Sequence, residues 1–467
     1  MANALIPWLK DEDAQKIVEV FPSIRGYLKG DREDPLYQAL IVHMAYRYWR
    51  KMGWDPAFVK KAWYAFIDPN LTSLSSQREI NELGLLGGNS PWGVPQQEGG
   101  GALTPSMTAY LAFKMGAQFA KAVLEYQEKA SEWEKIAGKL KAKINLQLTA
   151  PATGLKVDSP QLFPAVSHIP EQRGIQGTIG PFAWLYGLTL MKTPILYHQN
   201  IRRFDAPSLM AFLPFYMNYH GVRLDNTFSK NLKHTLIFLR ESLPLKNTAF
   251  QQHNLVTYRD SVEHLYMCYA SLCADQVKVS GELLNALIHY TYDEFAPIAE
   301  KADNALSPYL IPGCFNIAPD GRNLGATGDE GGARKVALFL ELVRLMIGLD
   351  DHDPDVLYFY PRIPRSWTGL KLTNWPISHR FDHGRTSKIE LDYQRTLKGE
   401  NINLRSNKTL QKIVIRLGPY PMNTRMLRAS VNGENQTLRT FVQTGMRWAT
   451  LSARRVLNLR VTTSSSQ

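Results

Sequence analysis

The sequence is poor in cysteine, with only three in 467 residues. Cys268, Cys273 and Cys314 are too few for the disulfide framework that stabilises small secreted domains, and their spacing matches no zinc motif. We interpret them as buried thiols that pack as small apolar side chains. The sequence therefore predicts neither a bound metal nor a cofactor.

Long apolar runs are absent as well. No stretch reaches the roughly 18 consecutive apolar residues that indicate a membrane-spanning helix, and the first residues lack the basic and apolar regions of a signal peptide. We therefore predict no membrane insertion. Neither the location of the protein nor its oligomeric state can be predicted from the sequence.

Concentrated basic charge is also missing, although the formal net charge is +12. The densest groups are short, such as Lys60-Lys61 and Arg454-Arg455, and there is no helix-turn-helix or paired-cysteine motif. We interpret the charge as a diffuse basic surface and predict no nucleic-acid partner. A G-x-S-x-G elbow, a P-loop and a dinucleotide fingerprint are absent too, which disfavours serine nucleophiles and nucleotide use.

Helical periodicity dominates the first 350 residues. Pro35 suits the first turn of a helix over 35–52, and apolar residues recur at helical spacing over 104–129. This run of helix pairs predicts a toroid or solenoid rather than a four-helix bundle. Further helices are predicted at 13–28, 56–67, 131–147, 180–192, 206–219, 227–242, 257–273, 280–302 and 332–348.

The pattern changes at the acidic segment Asp350-Asp351-His352-Asp353. This segment lacks the glycine and terminal glutamate of a calcium loop, so we interpret it as a solvated linker. β-Branched runs separated by turn residues follow, at the spacing typical of an antiparallel sandwich. The predicted strands are 368–374, 387–395, 401–405, 411–417, 427–432, 445–451 and 456–463.

A proline- and tryptophan-containing motif stands between the two patterns. Pro361, Arg362, Pro364, Trp367 and Gly369 fill the pattern P-R-[IL]-P-x-x-W-x-G. It resembles the junction that leads into the C-terminal β-domain of six-hairpin (α/α)6-barrel glycosidases. The apolar helical pattern before it is similar to the last barrel helix of that superfamily, and the arrangement looks closest to the α-L-rhamnosidase-like group.

The resemblance implies a fold that is mainly α with a C-terminal β part. We expect an (α/α)6 toroid as the catalytic domain, residues 1–350, followed by an antiparallel β-sandwich, residues 351–467. It also implies a carbohydrate substrate, which the aromatic content would suit, because sugar rings stack on aromatic side chains.

Glycoside hydrolysis needs two carboxyl groups beside the scissile bond, one to protonate the leaving oxygen and one to activate water or attack. Glu98 and Glu330 each lie in a glycine-rich segment just before a predicted helix, where the backbone can approach a substrate closely. A helix N-terminus lowers a carboxyl pKa, so either residue suits a base better than an acid. Asp329 and Asp260 are the further catalytic candidates.

Aromatic and polar side chains near these acids are candidates for sugar contacts. Asp260 and His264 are four residues apart on the predicted helix 257–273, so they would share a face. A helix-surface ion pair also fits that spacing. The predicted substrate-binding residues are Trp92, Gln96, Gln97, His220, Tyr258 and Arg259.

Three functions remain open at this point. The first is a glycoside hydrolase, inverting, with Glu98 and Glu330 or Asp329 as the acid–base pair. The second is a polysaccharide lyase that uses tyrosine, histidine, asparagine and arginine to abstract a proton and neutralise a uronate. The third is a non-catalytic carbohydrate-binding protein, since fold implies function only by analogy.

Overall fold

The computed structural model describes a helical N-terminal part, a two-stranded sheet, a small three-stranded sheet and a large C-terminal sheet. Within the described residues, no helix is both long and apolar enough to cross a lipid bilayer. The residues described are 6–24, 35–80, 84–86, 103–147, 150–151, 161–162, 257–260, 265, 268, 271–272, 277–288, 314–317, 323–327, 333–353, 355–378, 386–396, 399–443 and 446–465.

The helices begin where the sequence supplies capping residues. At α3, the Asp55 carboxylate accepts a 2.9 Å hydrogen bond from the backbone N–H of Ala57, and Pro56 occupies the first turn, where its missing N–H costs nothing. A π-helical turn at Trp63–Ile67 joins α3 to α4. The helices are α1 Asp11–Ile24, α2 Pro35–Lys51, α3 Pro56–Ala62, α4 Asp68–Ile80, α5 Leu103–Ala122, α6 Gln127–Gln147, α7 Val277–Ile288 and α8 Ala333–Ile347.

Helix α2 lies at the centre of the helical core. Every residue from Val42 to Arg50 is buried, which requires neighbours on all sides of the helix. Helices α1, α4 and α5 pack against it, and α6 packs on the far side of α5. Aromatic rings fill the space between them: Tyr46 makes edge-to-face contacts with Trp49, Trp54 and Phe119.

The expected (α/α)6 toroid is wrong. A toroid arranges helical hairpins in rings, whereas here one helix is enclosed by its neighbours. A strand also stands where a helix was predicted, because the predicted helix 257–273 opens with strand β3. Strands β4 and β5 lie between the predicted helices 280–302 and 332–348. The small strands are β1 Ala150–Pro151, β2 Gln161–Leu162, β3 Thr257–Asp260, β4 Cys314–Ile317 and β5 Asn323–Thr327.

The C-terminal strands form one nine-stranded sheet rather than the expected antiparallel sandwich. The order is β12-β11-β14-β10-β7-β6, with β13 paired to β14 and with β9 paired to both β8 and β10. The sheet is mixed because β7 runs parallel to β10. Its strands are β6 Leu349–Asp353, β7 Val356–Phe359, β8 Gly369–Ser378, β9 Thr386–Thr396, β10 Gly399–Tyr420, β11 Thr424–Val431, β12 Glu434–Gln436, β13 Arg439–Gln443 and β14 Met446–Ser465.

The long strands β10 and β14 change their inward face part-way along. Opposite this point Arg455 has a φ of 53°, next to the pair of Lys412 with Arg454. The buried positions on β10 are even before the change and odd after it, yet both sets belong to one core cluster. The sheet therefore bends there around its own core. The two sets are Ile402, Leu404 and Leu410, and then Ile413, Ile415 and Leu417.

The junction between helix α8 and the sheet is fixed by backbone hydrogen bonds. The N–H of Tyr360 donates to the carbonyl of Gly348 at 2.8 Å, and the N–H of Arg362 donates to that of Met346 at 2.8 Å. Gly348 itself has a φ of 72°, a conformation that only glycine adopts readily. A Cβ atom at Gly348 would lie 2.0 Å from the carbonyl oxygen of Tyr360.

The close approach at Gly348 leads to a stability prediction. We expect Gly348→Ala to lower the free energy of unfolding by about 3 kcal/mol or more, because it adds left-handed strain to a backbone clash. The matched control is Gly138→Ala in α6, where a Cβ atom would meet nothing within 4 Å. There we expect a gain of about 0.5–1 kcal/mol. Urea unfolding midpoints measure both changes, and equal effects at the two sites would contradict the prediction.

Candidate functional site

Several predicted site residues lie outside the described part of the chain. For these residues the roles remain predictions. They are Trp92, Gln96, Gln97, Glu98, His220, Asp329 and Glu330.

Tyr258, Arg259 and Asp260 lie on strand β3 and not on the predicted helix. The four-residue relation of Asp260 to His264 therefore no longer places the two on one helix face. In the small antiparallel sheet, Asp260 pairs with Cys314 of β4. Cys314 in turn pairs with Thr327 of β5.

These pairs bring the C-terminal ends of β3 and β5 to the same end of the small sheet. Two strand spacings separate Asp260 from Thr327, which is a Cα–Cα distance of about 10 Å. Strand β5 ends at Thr327, and Asp329 and Glu330 follow it by two and three residues in the sequence. The register thus places the Cα atom of Asp260 about 10 Å from that of Thr327, after which the sequence continues to Asp329 and Glu330.

A buried ion network joins helix α2 to helix α8 and strand β6. It comprises Arg47, Arg50, Glu341, Asp350 and Asp351. The guanidinium of Arg47 binds both carboxylate oxygens of Glu341, at 2.5 and 3.1 Å. Arg50 binds Asp351 and lies 3.8 Å from Asp350.

The geometry of the buried ion network corrects the interpretation of the acidic segment as a solvated linker. Asp350 is 2% exposed, and β6 forms part of the large sheet. Sequence reasoning missed Arg50 as the partner because 300 residues separate the two in the chain. Strand β6 runs across residue 350, where the sequence predicted the boundary between the two domains. The two-domain organisation itself stays a prediction.

We assign the buried ion network a structural role. Burial lowers the pKa of Arg47 to about 10, although the charge of Glu341 opposes that shift. Arg344 lies 3.7 Å from Glu341 and adds a further cation, so positive and negative charges are balanced. Both side chains of the Arg47–Glu341 pair are at most 2% exposed, which leaves no room for a substrate.

A second carboxylate, Glu400, organises the large sheet. It accepts hydrogen bonds from the hydroxyls of Tyr393 at 2.7 Å and Tyr420 at 2.8 Å, and from Arg395 at 2.8 Å. Arg395 also donates to the carbonyl of Pro364 at 2.8 Å. Burial raises the pKa of both tyrosines. Glu400 therefore anchors the junction motif to the sheet, a role that its sequence context does not reveal.

No metal site can be assembled from the described residues. Within the ranges that the structure describes, no three or more His, Cys, Asp or Glu side chains come together in a way that could hold an ion. Cys268 is buried, and burial raises the pKa of its thiol. That thiol therefore stays protonated and unreactive near neutral pH.

Comparisons with known proteins add no relative. No protein-family model matches the chain, and no curated protein matches it. The function must therefore be argued from the residues of the chain itself.

The buried ion network predicts strong coupling between Arg47 and Glu341. We expect Arg47→Met and Glu341→Leu each to lower the free energy of unfolding by about 3–5 kcal/mol, because each removes one of the two charges of a buried ion pair. The double variant should lose far less than the sum of the two. A double-mutant cycle from urea unfolding measures the coupling.

The exposed pair of Lys121 and Glu134 is the matched control. The same cycle with Lys121→Met and Glu134→Gln should give a coupling of about 1 kcal/mol or less, since exposed ion pairs contribute little. Comparable couplings in the two cycles would overturn the assignment of a structural role to the Arg47–Glu341 pair.

His43 predicts a pH dependence of stability. Its Nε2 lies 2.9 Å from the carbonyl oxygen of Thr108, and burial lowers its pKa from 6.5 to about 3. Between those values the unfolded chain binds a proton that the folded chain does not. Stability is therefore fully present above pH 6.5 and falls as the pH drops towards 3, by up to about 1.4 kcal/mol per pH unit.

His43→Gln tests this dependence, because glutamine can donate the same hydrogen bond and does not titrate. We expect the free energy of unfolding to fall less steeply for the variant than for the parent protein between pH 6.5 and pH 4.5, a window that lies between the two pKa values. Identical slopes would show that His43 does not stay neutral in the folded protein.

Proposed function

We propose that the protein is a glycoside hydrolase that cleaves an oligo- or polysaccharide with paired carboxyl groups. The observation that carries the proposal is the register of the small sheet. It sets Asp260 in line with Thr327 at one end of the strands. Asp329 and Glu330 follow Thr327 by two and three residues in the sequence. The proposal does not depend on a helical toroid.

The spacing at this end of the sheet leaves room for an inverting reaction. Asp260 and Thr327 are about 10 Å apart across two strand spacings, and two residues of chain reach at most about 7 Å further. A carboxyl separation of about 6.5–9.5 Å, which leaves room for the attacking water in inverting enzymes, lies within that reach. One carboxyl group then protonates the leaving oxygen while the other takes a proton from water.

The order of residues along β3 favours hydrolysis over a lyase. A lyase that used Tyr258 as its base and Arg259 to neutralise the uronate would need both side chains on the same sugar. Tyr258 and Arg259 are consecutive on an extended strand, so they occupy positions on opposite faces of the sheet. Tyr258 and Asp260 alternate along the strand and therefore occupy positions on the same face.

Substitution of the acids one at a time tests the proposal. We expect Asp260→Asn, and either Asp329→Asn or Glu330→Gln, to reduce the release of new reducing ends at least about a hundredfold, the usual contribution of one acid–base residue. Glu98→Gln extends the test to the remaining candidate. Proton NMR of the first-formed sugar should show an inverted anomeric configuration.

Two exposed acids serve as matched controls. Asp13→Asn and Glu128→Gln remove the same groups from the surface of the helical part and should leave turnover unchanged. Products that absorb as unsaturated uronates would instead establish a lyase. Glycan binding with no bond cleavage by the parent protein would leave a non-catalytic carbohydrate-binding protein.

A further inference from the structure

The outward positions of three neighbouring strands of the large sheet carry several basic and aromatic residues and no acidic one. On the part of β10 beyond its bend, Ile413 and Ile415 point to the core, and Lys412 and Arg416 occupy the alternate positions. Arg416 pairs with Thr450 of β14, and Thr450 pairs with Arg439 of β13. Three strands thus line up two arginines about 10 Å apart, two strand spacings.

A like-charged pair lies on this same surface. Lys412 and Arg454 are directly opposite each other on β10 and β14, an arrangement that destabilises a sheet. We call the surface formed by Lys412, Arg416, Arg439 and Arg454 the basic face. No Asp or Glu occurs in β13, in residues 446–455 of β14 or in residues 410–420 of β10.

Aromatic residues lie beside the basic face. The guanidinium of Arg416 is 3.9 Å from the centroid of the Trp448 ring, and the Phe441 ring is nearly parallel to that of Trp448 at 6.5 Å. Trp448 is 4% exposed, whereas Phe441 is 38% exposed. Phe441 therefore gives the basic face an apolar platform that reaches solvent.

We infer that the basic face binds an acidic polysaccharide, a chain of sugars that carries uronate carboxylates. The carboxylates would relieve the repulsion between Lys412 and Arg454, and arginine binds carboxylates with paired hydrogen bonds. The apolar side of a sugar ring would stack on Phe441. The inference rests on the proposed function for its class of ligand, and it adds the charge of that ligand and a surface on the sheet.

A single exposed ring argues against a nucleic acid as the occupant. Single strands bind by stacking successive bases on several aromatic side chains. In the described part of this surface, Trp448 is already covered and only Phe441 offers an open ring. An acidic polysaccharide needs fewer stacking platforms, because its affinity comes from charge and from hydrogen bonds to its hydroxyls.

Binding to polygalacturonate, measured by calorimetry on the full chain, tests the inference. We expect binding that weakens with added salt and that is lost when the carboxylates are methyl-esterified. The triple variant Lys412→Gln/Arg439→Gln/Arg454→Gln should bind at least about tenfold more weakly and with a shallower salt dependence, since three cations are removed. Arg416 is kept, so that its contact with Trp448 does not complicate folding.

The charge-matched control is Lys135→Gln/Lys139→Gln/Lys371→Gln, which removes three exposed cations from α6 and β8. It should bind like the parent chain. Equal weakening by the two triple variants, equal affinity for the esterified polymer, or tighter binding of single-stranded DNA would each overturn the inference. Binding that survives in Asp260→Asn while the parent protein cleaves nothing would refute the proposed hydrolysis and leave the basic face intact.

Discussion

The ionic contact of helix α2 with α8 and β6 is the constraint on which the arrangement of this protein depends. Arg47 and Arg50 lie on one helix and reach a glutamate on α8 and two aspartates on β6. Buried charges cost several kcal/mol each to desolvate, so the pairing adds little net stability. It does exclude other arrangements, because any shift of α2 would leave a charge buried without its partner. We therefore regard the network as what fixes the helical part against the sheet.

The large sheet extends from that contact. Strand β6 pairs with β7, and β7 runs parallel to β10. The remaining strands join the sheet through the long antiparallel pair of β10 and β14. The bend near Arg455 lets the residues before and after it on β10 pack into the same core. The same bend sets Lys412 and Arg416 opposite that core. Core packing and the position of the basic face thus share one cause, the change of inward face along β10.

Helices were predicted well where the signals for the helix, its apolar periodicity and its first-turn residue, lie within its own sequence. The expected helix over 35–52 is found as α2, with Pro35 in its first turn. The strand predictions at 401–405 and 411–417 found the right positions, but the structure joins them into β10. Pairing with neighbouring strands carries the extended backbone across the residues between the two predicted strands.

Features that depend on distant partners could not be predicted. Asp350 looked solvated because its own neighbours are acidic, and its partner Arg50 is far away in the chain. Tyr258 to Asp260 form a strand because β4 pairs with them, a pairing that a short stretch of mixed polarity does not encode. The toroid failed for a related reason: helix periodicity indicates helices, but not how they pack.

The strand at Asp260 also divides the catalytic roles between the candidate carboxylates. A carboxyl group before a helix N-terminus is held in its charged form by the helix dipole, and Glu330 precedes helix α8 by three residues. Strands have only a small net dipole, so Asp260 at the end of β3 is not stabilised in this way. A general acid must keep its proton at working pH, whereas a general base must not. Within the proposed hydrolase, Asp260 is therefore the better acid and Glu330 the better base. A helix over 257–273 would have removed this difference, because Asp260 would then lie in a first helical turn as well.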